Sequence, residues 1–85
     1  MELKRIFLPE MVAKQLQVLP ADTRFHVEAY LENLDVHMAT VPHEHFVTRL
    51  ERFEDGFLAA VQGADIFFTV DVGLRSAFIR RISMS

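Results

Sequence analysis

Residues Phe57 to Ile82 read FLAAVQGADIFFTVDVGLRSAFIRRI. This stretch decides the fold. It is apolar, too short between its breaks for helices, and punctuated by Gly63 and Gly73. Phe57 to Val61 has strand length, and Gln62-Gly63-Ala64-Asp65 turns it. Ile66 to Val72 is the clearest strand: Ile66, Phe68, Val70 and Val72 alternate with Phe67, Thr69 and Asp71. Gly73 turns the chain again. In the last strand, Leu74 to Ile82, strict alternation puts Leu74, Ser76, Phe78, Arg80 and Ile82 on one face. Arg75, Ala77, Ile79 and Arg81 fall on the other. Loops this short between consecutive strands require antiparallel pairing.

Upstream the period changes. Glu2 to Leu8 alternates, with Leu3, Arg5 and Phe7 opposite Ile6 and Leu8, and predicts a first strand. Pro9 suits the first position of a helix, where its missing N–H costs nothing. Val12, Leu16 and Leu19 then form one apolar stripe, and Pro20 ends that helix. Asp22 or Thr23 is placed to cap a second helix, whose stripe is Val27, Leu31, Leu34 and Met38 with Tyr30 at its edge. Arg24 and Glu28, four apart, form a weak exposed pair. The tight joint at Leu19-Pro20-Ala21-Asp22 predicts an antiparallel helical hairpin. Pro42 marks a break over Thr40 to His45. Phe46 to Phe53 fits a helix or a strand about equally, and Asp55-Gly56 is a turn signal. The expected fold class is α+β: an N-terminal strand and helical hairpin packed on a C-terminal antiparallel β-sheet, because neither layer buries its apolar side alone.

The chain has 85 residues, enough for one core and one expected domain over residues 1–85. It has no cysteine, which excludes a disulfide framework, a thiol nucleophile and cysteine zinc sites. No apolar run reaches signal or spanning length, so the expectation is a cytoplasmic protein that makes no use of a membrane. Hydrophobic residues make up 51%, with eight Phe, a level that implies either a Phe-rich core or a surface covered by a partner. The net charge is −3, whereas a general nucleic-acid binder needs a basic surface to neutralise phosphates. The charge is also uneven. Residues 1–21 sum to +1. Residues 22–71 carry ten acids against Arg24, Arg49 and Arg52, net −7. Residues 72–85 carry Arg75, Arg80 and Arg81 and no acid, net +3.

Few groups suggest chemistry. His43-Glu44-His45, with His37, comes nearest to a metal motif, since two His at i, i+2 in a strand point the same way. In a loop they are ordinary surface residues, and the spacing is not that of an H-E-x-x-H zinc site. No metal and no cofactor is expected. Glu51, Glu54 and Asp55 form a carboxylate cluster that serves either acid–base work or, interleaved with Arg49 and Arg52, a solvated surface. Ser76, Ser83 and Ser85 belong to no nucleophile motif, and Gly56, Gly63 and Gly73 sit at strand ends as turn residues. Arg75, Arg80 and Arg81 are the most suggestive group, because arginine binds phosphate and carboxylate bidentately. The alternative is an edge strand guarded by charge against aggregation.

The order of these pieces resembles the RelE/ParE toxin superfamily. The matching text is Ile6-Phe7-Leu8-Pro9-Glu10, then Leu16-Gln17-Val18-Leu19-Pro20 with Arg24 and the Val27/Leu31/Leu34 stripe. Asp55-Gly56-Phe57, Gly63, the strand Ile66-Phe67-Phe68-Thr69-Val70-Asp71 and Ile79-Arg80-Arg81 complete it. The resemblance implies a toxin of a bacterial type II toxin–antitoxin pair, wrapped and neutralised by a cognate antitoxin. RelE-like members cut mRNA in the ribosome, and ParE-like members inhibit DNA gyrase. In the RNase branch, Arg and Tyr side chains on the meander hold and polarise the scissile phosphate. Carried over by position, two such Arg fall near Ala60 and Asp65 and the aromatic near Phe68. Only Arg81 matches, and no Tyr follows it. The expectation is therefore a toxin-like protein that acts by binding, either gyrase-inhibitor-like or catalytically degenerate. Its binding residues are expected among Arg49, Arg52, Arg75, Arg80 and Arg81. Two alternatives stay open: a ribosome-dependent mRNA endonuclease using Arg81 with Arg49 or Arg52, and a small interaction module or homodimer without a toxin role.

Overall fold

The computed structural model describes residues 3–40, 51–53, 56–71 and 73–84. The elements are β1 (Ile6–Phe7), α1 (Glu10–Gln17), α2 (Ala21–Thr40), β2 (Glu51–Phe53), β3 (Gly56–Val61), β4 (Ala64–Asp71) and β5 (Ser76–Met84). The architecture is α+β, as the change of period requires. The strands form one five-stranded sheet in the order β1-β5-β4-β3-β2. β2 to β5 pair antiparallel with their neighbours, whereas β1 pairs parallel with β5, Ile6 opposite Ala77 and Phe7 opposite Phe78. The sheet is thus mixed, and the N-terminal strand belongs to it rather than to the helical layer alone. Glu51–Phe53 is strand, which settles that part of the ambiguous segment. The remainder, residues 46–50, lies outside the described residues, as do His43-Glu44-His45, Arg49, Glu54 and Asp55.

Both helical stripes enter the core as their spacing demands. Val12, Leu16 and Leu19 are buried, and so are Val27, Leu31, Leu34 and Met38. They pack on Ile6, Phe57, Ala59, Ala64, Ile66, Phe68, Ala77, Ile79 and Ile82. Burial of each large side chain contributes about 1.5–3 kcal/mol. The two prolines act differently from expectation. α1 stops at Gln17, before Pro20. Pro9 and Pro20 each stand just ahead of a helix, where their carbonyls accept the N–H groups of Ala13 and Arg24 at 2.8 Å. α2 therefore starts at Ala21, and Asp22 and Thr23 lie inside its first turn instead of capping it. Asp22 still suits that position, because a negative charge is favourable at a helix N-terminus. The Thr23 hydroxyl donates to the Gln62 carbonyl at 3.3 Å, which ties α2 to the β3–β4 turn. Arg24 donates to the Gln17 carbonyl at 3.4 Å across the helical joint.

Polar contacts set the strand limits. The Asp35 carboxylate accepts the backbone N–H groups of Lys4 at 3.1 Å and Arg5 at 2.6 Å. Those donors are committed to α2, so β1 is two residues long where alternation suggested seven. The β3–β4 turn is two residues, Gln62 and Gly63, with φ of 49° and 85°. Both positive angles match the twist of a two-residue hairpin, so Ala64 and Asp65 already belong to β4. Gly56 is more than a turn residue. A Cβ there would lie 2.5 Å from the Phe68 carbonyl oxygen, so the β3 backbone passes too close to β4 for any side chain.

Strict alternation fails in β5. Phe67 pairs with Arg81 and Phe68 with Ile79, which leaves Arg80 as an extra residue, a β-bulge. Ala77 and Ile79 face the helices, and past the bulge so does Ile82. Arg81 then lies on the opposite face with Phe78. Arg75 is not in the strand at all; it sits in the preceding turn with φ 52°. The expected sharing of one face by Arg75 and Arg81 is thereby corrected.

Gly56→Ala should lower stability by about 1–3 kcal/mol through this backbone clash, measured by urea unfolding. Tyr30, the only tyrosine, carries a buried hydroxyl without a hydrogen-bond partner among the described residues. Burial pushes its phenol from 10 up to about 12. The folded state therefore keeps a proton that the unfolded chain releases near pH 10. That contribution is complete below pH 10 and is lost as pH rises toward 12. Tyrosinate absorbance should titrate near 12 in the folded protein. Tyr30→Phe should leave stability unchanged or raise it by up to about 1 kcal/mol, since an orphaned hydroxyl is removed.

Candidate functional site

The helices cover one face of the sheet. On the other, side chains line up in rows across the strands, because paired residues share a face. One row holds Gly56, Thr69, Phe78 and Phe7 across β3, β4, β5 and β1. The next holds Leu58, Phe67 and Arg81, and the next Ala60, Asp65 and Ser83. On the other side lie Asp71 and Ser76. Leu58, Phe67 and Phe78 are half-buried, and Phe7 keeps 49% of its surface exposed. This open face is where aromatic surface and arginine meet.

Phe7 and Phe78 stack with ring centroids 4.8 Å apart and planes 9° from parallel. The Arg80 guanidinium carbon lies 5.5 Å from the centroid of the Phe78 ring, within cation–π range. Its Nε–H donates to the Thr69 hydroxyl at 3.1 Å. The bulge gives Arg80 this reach, lifting it out of the alternation so that its side chain lies toward β4. An open depression of about 420 Å³ is lined by Thr69, Val70, Asp71, Phe78 and Arg80. At its far end, Asp71 Oδ1 accepts the Leu74 N–H at 3.0 Å and closes the β4–β5 turn. The Arg5 guanidinium and the Ser76 hydroxyl both donate to the Leu74 carbonyl, at 3.4 and 3.1 Å.

The structure sorts the arginines. Arg80 and Arg81 come together beside the aromatic pair, both exposed. Arg75 is exposed in the adjoining turn. Arg52 pairs with Phe57 in β2, on the strand farthest from β1. Three strand spacings, about 14 Å, separate β2 from β5. The positions that the toxin resemblance assigns to phosphate chemistry are placed as follows. Ala60 and Asp65 pair with each other on the open face, and Phe68 is fully buried under the helices. Among the described residues, no group of three His, Cys, Asp or Glu is placed to hold a metal ion, and no helix is long and apolar enough to cross a membrane.

Phe7 and Thr69 were not legible as site residues. Phe7 joins the face only through the parallel pairing of β1 with β5, which links opposite ends of the chain. Thr69 is visible as an outward residue of its strand, but its bond to Arg80 depends on the bulge.

Arg80→Gln should change stability by no more than about 0.5 kcal/mol, as the side chain is exposed. A double-mutant cycle of Phe7→Ala and Phe78→Ala should give a coupling of about 0.5–1.5 kcal/mol from the stacked pair, measured by denaturant unfolding. Comparison with protein-family models, curated proteins and solved structures finds no match for this chain.

Proposed function

We propose that the protein is a toxin-like component of a bacterial type II toxin–antitoxin system. In this reading it acts in the cytoplasm by binding another protein, and a cognate antitoxin neutralises it. The order of strand, helical hairpin and meander ending in Arg80-Arg81 is consistent with the RelE/ParE resemblance. The observation that carries the binding reading is the open face itself. It presents Phe7, Phe78, Arg80 and Arg81, yet has Ala60 and Asp65 where phosphate-holding arginines are required. Phosphoryl transfer needs charge stabilisation on the phosphate and a positioned proton donor and acceptor. Among the described residues, Arg81 has no hydrogen-bonded or ion-paired acid–base partner, which weighs against the nuclease alternative.

Induced expression of the chain alone should arrest bacterial growth without cleaving ribosome-bound mRNA. A gyrase supercoiling assay then separates gyrase inhibition from other protein targets. Expression with its neighbouring reading frames should yield a co-purifying small protein that relieves the arrest. A harmless, stable homodimer with no such partner would overturn the proposal, and specific mRNA cleavage abolished by Arg81→Ala would replace it with the endonuclease reading.

A further inference from the structure

The open face says what kind of partner segment it takes, given the binding reading above on which this inference rests. Arg80 is preset. Its Nε–H is held by Thr69 and its guanidinium rests by Phe78, while its two terminal nitrogens have no other partner among the described residues. That fork matches a carboxylate end-on. Beside it, the stacked Phe7 and Phe78 rings offer a flat apolar surface. An anionic group and a ring or branched apolar group side by side would satisfy both.

The charge pattern limits how far the anion extends. Arg81 stands in one row and the Arg80 guanidinium reaches into the next, beside Thr69 and Phe78, and same-face rows along a strand lie about 7 Å apart. Asp71 and Asp65 stand on β4 in the rows immediately outside them. A polyanion laid along the strands would run from the arginines onto a carboxylate in either direction. Nucleic-acid affinity depends on neutralising several phosphates in succession, and the chain carries a net −3. The face therefore suits one or two isolated negative charges flanked by apolar groups.

We infer that the Phe7/Phe78/Arg80/Arg81 platform docks a segment of a partner protein in which an Asp or Glu stands next to an aromatic or branched apolar residue. The carboxylate takes the Arg80 fork and the apolar side chain lies on Phe7 and Phe78. The test uses the full ¹⁵N-labelled chain and three probes: acetyl-Asp-Phe-Asp-Phe-amide, acetyl-Lys-Phe-Lys-Phe-amide and a thymidine decanucleotide. The acidic peptide should shift the Arg80 Nε–Hε signal and the Phe7 and Phe78 amide signals saturably. Arg80→Gln should weaken that binding about tenfold while thermal unfolding is unchanged, the scale expected for a lost charge-assisted hydrogen bond. Equal binding of the lysine peptide, tighter binding of the oligonucleotide at the same signals, or no saturable shift would overturn the inference. A cellular partner captured equally by wild type and Arg80→Gln would also overturn it, while leaving the binding function standing. Absence of any cellular partner would instead remove the functional reading beneath it.

Discussion

The extra residue in β5 is the constraint on which the rest of the structure depends. Ile79-Arg80-Arg81-Ile82 spaces its apolar residues three apart, and a regular strand repeats every two. Without a bulge, seating Ile79 in the core would send Ile82 to solvent and turn Arg81 inward among Ile66 and Phe68. An unpaired buried guanidinium is far more costly than one disrupted ladder position. The chain therefore inserts Arg80 opposite the Phe67/Phe68 step and resumes in phase. The same insertion puts Arg81 on the open face and lays Arg80 against Phe78 and Thr69.

Packing around this point is shared between layers. Gln15 of α1 accepts the Ile82 N–H at 2.9 Å, just past the bulge, where two-residue β1 no longer covers the edge of β5. Asp35 of α2 ends β1 by taking the Lys4 and Arg5 N–H groups. Thr23 holds the β3–β4 turn. Each helix thus supplies a polar contact to a place where the sheet ladder is interrupted and a backbone group would otherwise lack a protein partner. The short β1 in turn brings Phe7 onto Phe78, and the open face acquires an aromatic pair from the two ends of the chain.

The proposed function rests on which face carries which residues. The helices claim Phe68, Ile66 and Ile79, and the other face keeps Phe7, Phe78, Arg80 and Arg81. An arginine held by Thr69 and a ring has its orientation chosen before any ligand arrives, which lowers the entropy lost on binding. Asp65 and Asp71 stand in the flanking rows, which suits the proposed confined recognition surface better than a general anion track.

The sequence by itself determined the two helical stripes, the antiparallel meander and the turns at Gly63 and Gly73, because these rest on local periodicity and local backbone preference. It also marked Arg80 and Arg81. Helix starts were misjudged by a residue or two, since Pro9 and Pro20 work ahead of the first turn. Only the tertiary structure decided the parallel pairing of β1 and the phase of β5. Those depend on contacts between residues far apart in the chain and on the cost of burying Arg81, and neither is visible to alternation read along one strand.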